Sequence, residues 1–271
     1  MEEGSGTIRM QDYWRKQTRD EPLFPDMQWS KPENRSAAGK LLIIGGHAHG
    51  FAVPAQAYAE SLKAGIGVVK VMLPDALQKV VGAHLAEAEF APSTPSGSFS
   101  RRGLSELLER SLWSDCSLIS GELGRNSETA ILLESYVEKY AGPLAVTRDG
   151  VDYFYHMADK LLARADTLLV VSMAQLQKLA IGAKYPRAIT FSMDLLQLID
   201  ALHDLTEKYP VHVMVKHSGS ILVASGGQVS TTRLDEDIPI WRVRYTAHAT
   251  TWWLQHHNKP FEAITTSVIA D

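Results

Sequence analysis

The feature that most constrains the fold is a buried-strand pattern that runs into a glycine turn and then into a helix. The segment LLIIGGHAHG, residues 41–50, places four apolar residues before Gly45 and Gly46. A helix-forming segment follows, with Pro54 near its start and Gly65 at its end, and then the strand-like run GVVKVMLP. Proline suits the first turn of a helix and glycine suits its end. The order strand, turn, helix, strand predicts a parallel α/β unit.

The same alternation continues along the chain. Continuous apolar runs, which are typical of strands buried on both faces of a sheet, occur as SLIS, PLAVT and TLLVV. The segment SMDLLQLIDALHDLTEKYP has the periodicity of an amphipathic helix, and we expect Ser192 to cap it. The run VHVMVKHSGSILVASGGQVST predicts an antiparallel hairpin from about Val211 to Thr231. We therefore predict an α/β fold with a central, mostly parallel sheet flanked by helices.

Two segments depart from this alternation. Residues 1–38 combine prolines with Trp14 and Trp29 and show little helical periodicity, so we predict an N-terminal extended arm. Residues 39–271 are then predicted to form one α/β domain. Residues 89–103 are rich in Pro, Ser and Gly, which predicts an irregular loop that could lie over a site.

Composition excludes several classes of function. The formal net charge is -4 and no block of Lys and Arg is present, which argues against a nucleic-acid partner. No run of about 18 apolar residues occurs, so we expect neither a membrane span nor a membrane partner. Cys116 is the one cysteine, so a disulfide or a cysteine-based zinc site within the chain is excluded. These features favour a cytoplasmic protein that binds a small molecule.

Ligands of parallel α/β sheets bind beyond the carboxyl ends of the strands. Glycines in such turns free backbone amides to face an anion, although the same glycines serve any tight turn. The loop GGHAHG lacks a phosphate-binding lysine and the G-x-G-x-x-G spacing. His47 and His49 alternate as metal ligands would, but a metal site needs further ligands from later strands. Five turns meet the strand-end rule, at residues 45–50, 121–125, 147–150, 172–175 and 216–220.

The chain resembles a known family over roughly residues 39 to 264. The run GKLLIIGGHAHGFAVPAQAYAESLKAGIGVVKVMLP is similar to the opening of the NAD(P)H-hydrate dehydratases, which belong to the ribokinase-like superfamily. GELG, PLAVTRDGV, VHVMVKHSGSILVA and PFEAI resemble later family segments in the family's order. The resemblance implies a ribokinase-like fold and an ATP- or ADP-driven dehydration that repairs hydrated nicotinamide cofactors. It also implies ATP or ADP, Mg²⁺ and hydrated NAD(P)H as ligands.

The resemblance assigns roles to residues that match the family's motifs. Asp149 would lie at the reacting centre, and His248 is the group best suited to act as a base in the segment that replaces the family's catalytic loop. That loop is glycine-rich and carries an aspartate, whereas this chain has neither residue between Arg242 and Lys259. The expected nucleotide- and phosphate-binding residues are Gly45, Gly46, Gly50, Gly121, Gly124, Lys216 and Gly219.

The missing loop weakens the expectation of catalysis more than that of binding. Losing one preorganised anion-hole donor costs about 3 kcal/mol of barrier, and here a whole loop and its base are replaced. We therefore predict a divergent relative that binds a nucleotide or a phosphorylated small molecule and has lost most or all of the family reaction. If active, it would be a dehydratase-like lyase or a small-molecule kinase.

Two other functions stay open at this stage. The chain could be a non-catalytic assembly or regulatory protein, a homo-oligomer held by the arm and by Trp252 and Trp253. Alternatively, it could be a metal-dependent hydrolase that uses His47 and His49.

Overall fold

A computed structural model describes residues 12–82, 85–234 and 240–270. In this part of the chain ten strands form one sheet, in the order β1-β10-β9-β8-β7-β6-β5-β2-β3-β4. The strands are β1 (Trp14–Gln17), β2 (Lys40–Gly45), β3 (Val68–Pro74), β4 (Ala88–Ala91), β5 (Cys116–Gly121), β6 (Leu144–Thr147), β7 (Thr167–Val171), β8 (Val211–His217), β9 (Ser220–Ser225) and β10 (Gln228–Arg233).

Helices cover both faces of this sheet. They are α1 (Pro25–Trp29), α2 (Ala52–Lys63), α3 (Gln78–Val81), α4 (Leu104–Trp113), α5 (Ser127–Lys139), α6 (Ala158–Ala163), α7 (Met173–Gly182), α8 (Leu195–Lys208), α9 (Trp241–Gln255) and α10 (Pro260–Ser267). None of these described helices combines the length and the apolar character that a membrane crossing requires.

Alternation along β2 shows how the sheet divides the core. Leu41 and Ile43 belong to the cluster that includes α2, α9 and α10, whereas Leu42 and Ile44 belong to the cluster that includes α4, α5, α7 and α8. All four side chains are fully buried, because successive residues of a strand point to opposite faces and both faces are covered. The predicted α/β class is confirmed.

The antiparallel part of the sheet is the predicted hairpin. β9 pairs antiparallel with both β8 and β10, while the pairs from β8 through β4 are parallel. Ser218 and Gly219 both have positive φ, as a tight two-residue turn requires. The helix predicted to be capped by Ser192 is instead capped by Asp194, whose carboxylate accepts the amide of Gln197 in a capping box.

The segment predicted as an arm contributes a strand to the sheet. β1 pairs parallel with β10, with Trp14 opposite Val229, and the Trp14 indole donates to Thr231 Oγ1 at 3.1 Å. Trp14 is only 5% exposed. The described residues before position 39 are thus packed on the α/β domain, because a strand edge and a buried indole both need partners from it.

The segment 89–103 is more ordered than an irregular loop. It begins inside β4, and Ser93 and Phe99 form an isolated antiparallel bridge around a turn. The Phe99 side chain is fully buried in the core. The Gly97 carbonyl accepts the Ala48 amide at 2.8 Å, so this segment is hydrogen-bonded to the loop after β2.

Candidate functional site

Three neighbouring parallel strands, β2, β5 and β6, end side by side and set the position of the candidate site. Gly45 ends β2 at a very close approach, because an added Cβ would lie 2.6 Å from the Gly121 carbonyl oxygen. Gly121 ends β5 with φ +115°, and an added Cβ would lie 2.5 Å from Asp149 Oδ1. Glycine is required at both positions because the loops that follow these strands pack directly against one another.

The amides of the loop after β2 are used within the fold. Gly46 donates to the Gly121 carbonyl at 3.1 Å, and His47 and Gly50 exchange hydrogen bonds at 2.8 and 2.9 Å. The Ala48 amide donates to Gly97, as described above. Each of these four N–H groups, which include those of the predicted phosphate-binding residues Gly46 and Gly50, therefore has a backbone acceptor, and Gly45 lies at the end of β2.

Asp149 holds the loop after β5. Its Oδ1 accepts the Glu122 amide at 2.8 Å and its Oδ2 accepts the Leu123 amide at 3.0 Å. Hydrogen bonds from amides to a carboxylate are charge-assisted and stronger than neutral ones. Asp149 thus acts here as a structural acceptor, with both oxygens engaged, rather than as an unengaged base.

A second carboxylate, that of Glu122, caps α2. Glu122 has φ +55°, and its Oε2 accepts the Val53 amide at 2.8 Å in the first turn of the helix. The Glu122 carbonyl accepts from His47 Nδ1 at 3.0 Å. A carboxylate is favoured at a helix amino terminus because the free amides and the helix dipole are both positive there.

Beside these loops lies an open cavity of about 610 Å³. Its wall is polar and carries charges of both signs, with arginines and carboxylates on neighbouring loops. Arg148, which has φ +51°, contributes an Nε that is buried and has no hydrogen-bond partner in the described structure. The lining residues are His47, Glu122, Gly124, Arg125, Asn126, Arg148, Asp149, Asp152 and Tyr153.

Gln175 connects the cavity wall to the start of α9. Its Nε2 donates to the Arg148 carbonyl at 2.6 Å and to Asp152 Oδ1 at 2.8 Å, and its Oε1 accepts from Arg242 Nη1 at 2.8 Å. Burial lowers the pKa of the Arg242 guanidinium, and the positive charge of Arg148 lowers it further. Two arginines are therefore held near each other at this edge of the sheet.

His248 does not reach this cavity. It is 2% exposed, and its Nε2 lies 3.3 Å from Glu60 Oε2. Burial lowers the pKa of His248, and the hydrogen bond to Glu60 opposes that shift. α9 begins at Trp241, which puts His248 roughly 10 Å further along the helix axis, and its role as a catalytic base stays a prediction.

Lys216 and Gly219 also lie apart from the cavity strands. Lys216 is on β8 and Gly219 is in the turn to β9, whereas the cavity is built around the ends of β2, β5 and β6. β8 is the second strand beyond β6, so its axis is roughly 10 Å from that of β6. Of the predicted binding and catalytic residues, the cavity wall brings together Gly124 and Asp149.

The site offers no obvious place for a metal ion. The rings of His47 and His49 are 6.0 Å apart, edge to face. In residues 12–82, 85–234 and 240–270, no three His, Cys, Asp or Glu side chains form a group that could hold a metal. Asp149, which the family resemblance would bring nearest to Mg²⁺, already accepts two amide hydrogens. Mg²⁺ is commonly held by one or two carboxylates together with water and the phosphates of a ligand, so these observations concern only a metal site built from protein side chains.

Several functional candidates were missed by sequence reasoning. Glu122, Arg148 and Gln175 all lie in turns that the strand-end rule had selected, but glycine patterns drew attention to other positions. Arg148 directly precedes Asp149, so a search for cations at strand ends would have found it. Arg242 had no comparable signal, because its approach depends on how α9 packs.

Comparison with known proteins shows which sequences and structures the chain resembles. No family model matches the chain. A bifunctional NAD(P)H-hydrate repair enzyme from Moorella thermoacetica is 29% identical over 116 residues, which is 42% of this chain and 22% of the relative. The match therefore spans less than a quarter of the length of that curated relative.

Solved structures agree on the fold. A ribokinase-like superfamily protein from Enterococcus faecalis superposes with a TM-score of 0.72 at 12% identity, over 96% of this chain and 87% of the other. An ADP/ATP-dependent NAD(P)H-hydrate dehydratase from Bacillus subtilis, crystallised with ATP and Mg²⁺, gives 0.58 at 11% identity, over 91% and 86%. The chain has the ribokinase-like fold, and over 116 residues it is similar to an NAD(P)H-hydrate repair enzyme.

Proposed function

We propose that this protein binds a nucleotide or another phosphorylated small molecule in the cavity beside Arg125 and Arg148, and that it has lost most or all of the dehydratase reaction. The Arg148 side chain carries the proposal. Arg148 lines the cavity, and its Nε is buried with no hydrogen-bond partner in the described structure. A buried donor without an acceptor is costly, and a phosphate oxygen would supply the acceptor.

The surroundings of Arg148 favour an anion as the ligand group. Arg125 lines the same cavity, and Arg242 is close enough to Arg148 for their charges to interact. Arginine binds phosphate in a planar, two-pronged geometry that lysine lacks. The cavity volume of about 610 Å³ lies in the range of small-molecule sites. Its polar wall fits a phosphorylated compound better than an apolar one.

Low catalytic competence follows from where the acid and base candidates lie. Asp149 accepts two backbone amides, and His248 is buried against Glu60. Asp149 lines the cavity but has both oxygens engaged, and His248 is not among the residues that line it. If these groups do not act, we expect turnover of hydrated NADH at least a hundredfold below that of the Bacillus subtilis dehydratase, on the scale of about 3 kcal/mol for each lost anion-hole donor.

Thermal unfolding with ATP, ADP, NAD(H) and hydrated NADH tests the binding proposal. A ligand present at a hundred times its Kd should stabilise the wild-type protein by about 2.7 kcal/mol. Arg148→Ala should weaken that ligand roughly 10- to 100-fold, because it removes a charged hydrogen-bond donor. Arg148→Lys should recover little of the affinity, since an ammonium cannot reproduce the guanidinium geometry.

A matched control is Arg187→Ala, which removes an arginine that pairs with Asp204 of α8. We expect this variant to keep the wild-type ligand affinity. A ligand that binds Arg148→Ala as tightly as wild type would overturn the assignment to this cavity. Turnover of hydrated NADH at the rate of the Bacillus subtilis dehydratase would overturn the loss of catalysis.

A further inference from the structure

The first turn of α2 has a free backbone donor that is capped by a side chain from another loop of the protein. The residue before the helix, Phe51, provides no side-chain cap, and Pro54 has no N–H. The Ala55 amide donates to the Phe51 carbonyl at 3.1 Å. The Val53 amide is thus a donor of this turn that remains available to an external acceptor. Glu122 Oε2 accepts it at 2.8 Å.

Glu122 belongs to the loop after β5, and its side chain reaches the first turn of α2 beside the packed backbone of the loop after β2. An added Cβ on Gly50 would lie 3.4 Å from the Glu122 carboxyl carbon, so the carboxylate sits beside the loop that leads into α2. Glu122 lines the cavity and adopts φ +55°, a region that side-chain-bearing residues rarely occupy. The carboxylate lies between the cavity and the amino end of α2.

We infer that Glu122 is a specificity-determining residue that keeps the anionic group of a ligand away from the amino end of α2. The anionic group then binds on the side of the cavity that carries Arg125 and Arg148. This inference rests on the proposed function, because it assigns a direction to a ligand bound there. Two effects act together. The carboxylate uses the Val53 donor, and its negative charge repels a phosphate at short range.

Inorganic phosphate is a suitable probe, and an Arg148→Ala background removes its expected binding partner. In this background we compare the protein with Glu122 intact, with Glu122→Gly and with Glu122→Gln. Glycine removes the side chain and also tolerates the positive φ, so the loop keeps its shape. Glutamine keeps a side-chain oxygen that can still cap Val53 but removes the charge. The readout is the thermal midpoint during a phosphate titration at constant ionic strength.

We expect Glu122→Gly to lower the half-saturating phosphate concentration about five- to tenfold relative to intact Glu122, on the scale of an anion at a helix amino terminus. Glu122→Gln should give at most a small part of that gain, because the position is still occupied. Acetate, which replaces the missing carboxylate, should stabilise Glu122→Gly more than it stabilises the other two proteins.

The inference fails if Glu122→Gly gains no phosphate affinity, or if Glu122→Gln gains as much. Should Glu122→Gly not fold, the same comparison is made with Glu122→Ser, whose hydroxyl is too short to cross to α2. The Arg148→Ala background distinguishes failure of the proposed function from failure of the inference about Glu122. An unchanged ligand affinity in Arg148→Ala alone counts against the proposed function, whereas the phosphate response of the Glu122 variants can still be measured.

Discussion

The two ends of α2 use charged and polar groups in opposite ways. At its amino end the helix meets Glu122 beside an open cavity, and a carboxylate satisfies a free backbone amide there. Near its carboxyl end Glu60 is 8% exposed and meets the buried His248 of α9. One end keeps polar groups next to solvent and near two arginines. The other has enclosed them in a packed helix interface.

This difference distinguishes an open region of the fold from a packed one. The α9 segment, where the related enzymes were expected to carry catalytic groups, here buries Trp252 and Trp253 at 1% exposure each. Both indole Nε1 atoms are buried without a partner in the described structure. The second half of α9 is thus packed into the core, while a polar cavity lies beside the loops after β5 and β6.

The largest change in stability is expected when a buried tryptophan is removed from α9. Trp253 contacts the edge of the His212 ring at a centroid distance of 5.2 Å and belongs to the core between the sheet and α2, α9 and α10. Trp253→Ala should destabilise the protein by about 4 kcal/mol, because it removes a large buried side chain and leaves a cavity. Urea unfolding followed by circular dichroism measures this change. A loss below about 1 kcal/mol would contradict the packing role of α9.

The next largest effect is the dependence of stability on pH, which we expect from a buried histidine next to Trp253. Burial lowers the pKa of His212 from 6.5 to about 4. The folded protein thus binds fewer protons than the unfolded chain between these values, so stability present above pH 6.5 is lost as the pH falls toward 4. This one group should account for roughly 2 to 3 kcal/mol of the loss.

His212→Asn tests that assignment, since its amide can still approach Ser225, whose Oγ lies 2.8 Å from His212 Nδ1. Unfolding free energies measured from pH 7 to pH 4 should fall less steeply in the variant than in wild type. The slope, rather than the stability at pH 7, is the relevant quantity, because the substitution also changes packing. Parallel curves for the two proteins would show that His212 is not the titrating group.

A smaller effect is expected at the cavity side. Asp149→Ala removes the acceptor of two amides, those of Glu122 and Leu123. We expect a loss of about 2 kcal/mol, lower than for a deeply buried group because water can reach part of the loop. Asp152→Ala is the comparison, since Asp152 lines the same cavity but is exposed and accepts hydrogen bonds from the side chains of Gln175 and Tyr155 rather than from backbone amides. Equal unfolding free energies for the two variants would contradict a structural role specific to Asp149.

Local patterns in the sequence were sufficient to predict the fold. Strand β2, the glycine turn and α2 are adjacent in the chain, so their order could be read directly. The pairing of Trp14 with Val229 joins residues more than two hundred positions apart, and no local pattern indicates it. The sequence therefore predicted an extended arm but not the strand that it adds to the sheet.

Prediction of the site was limited because the first residue of a helix could not always be identified from the sequence. Asp194 and Asn126 cap α8 and α5 and mark their starts, although Ser192 was preferred for α8. The residue before α9, Ile240, provides no side-chain cap, so the sequence gives no clear start for that helix. The position of His248 along α9 could not be known, and its residue type suggested a base. Loop contacts such as that of Glu122 with Val53 depend on the packed fold.

The smallest effect is expected from Trp29, and it bears on the alternative of a homo-oligomer. Trp29 is 86% exposed at the end of α1, in contrast to the buried Trp252 and Trp253. Trp29→Ala should change the unfolding free energy of a monomer by less than about 0.5 kcal/mol, because no buried contact is lost. Sedimentation velocity of both proteins over a range of concentrations provides the second measurement. If the exposed indole joins two copies, the variant should dissociate at concentrations where wild type stays associated, and its stability should then depend on protein concentration. Identical sedimentation and stability of the two proteins would show that Trp29 has no role in assembly. The difference between the open and the packed end of α2 would then be explained within one chain, without a contribution from Trp29 in a second copy.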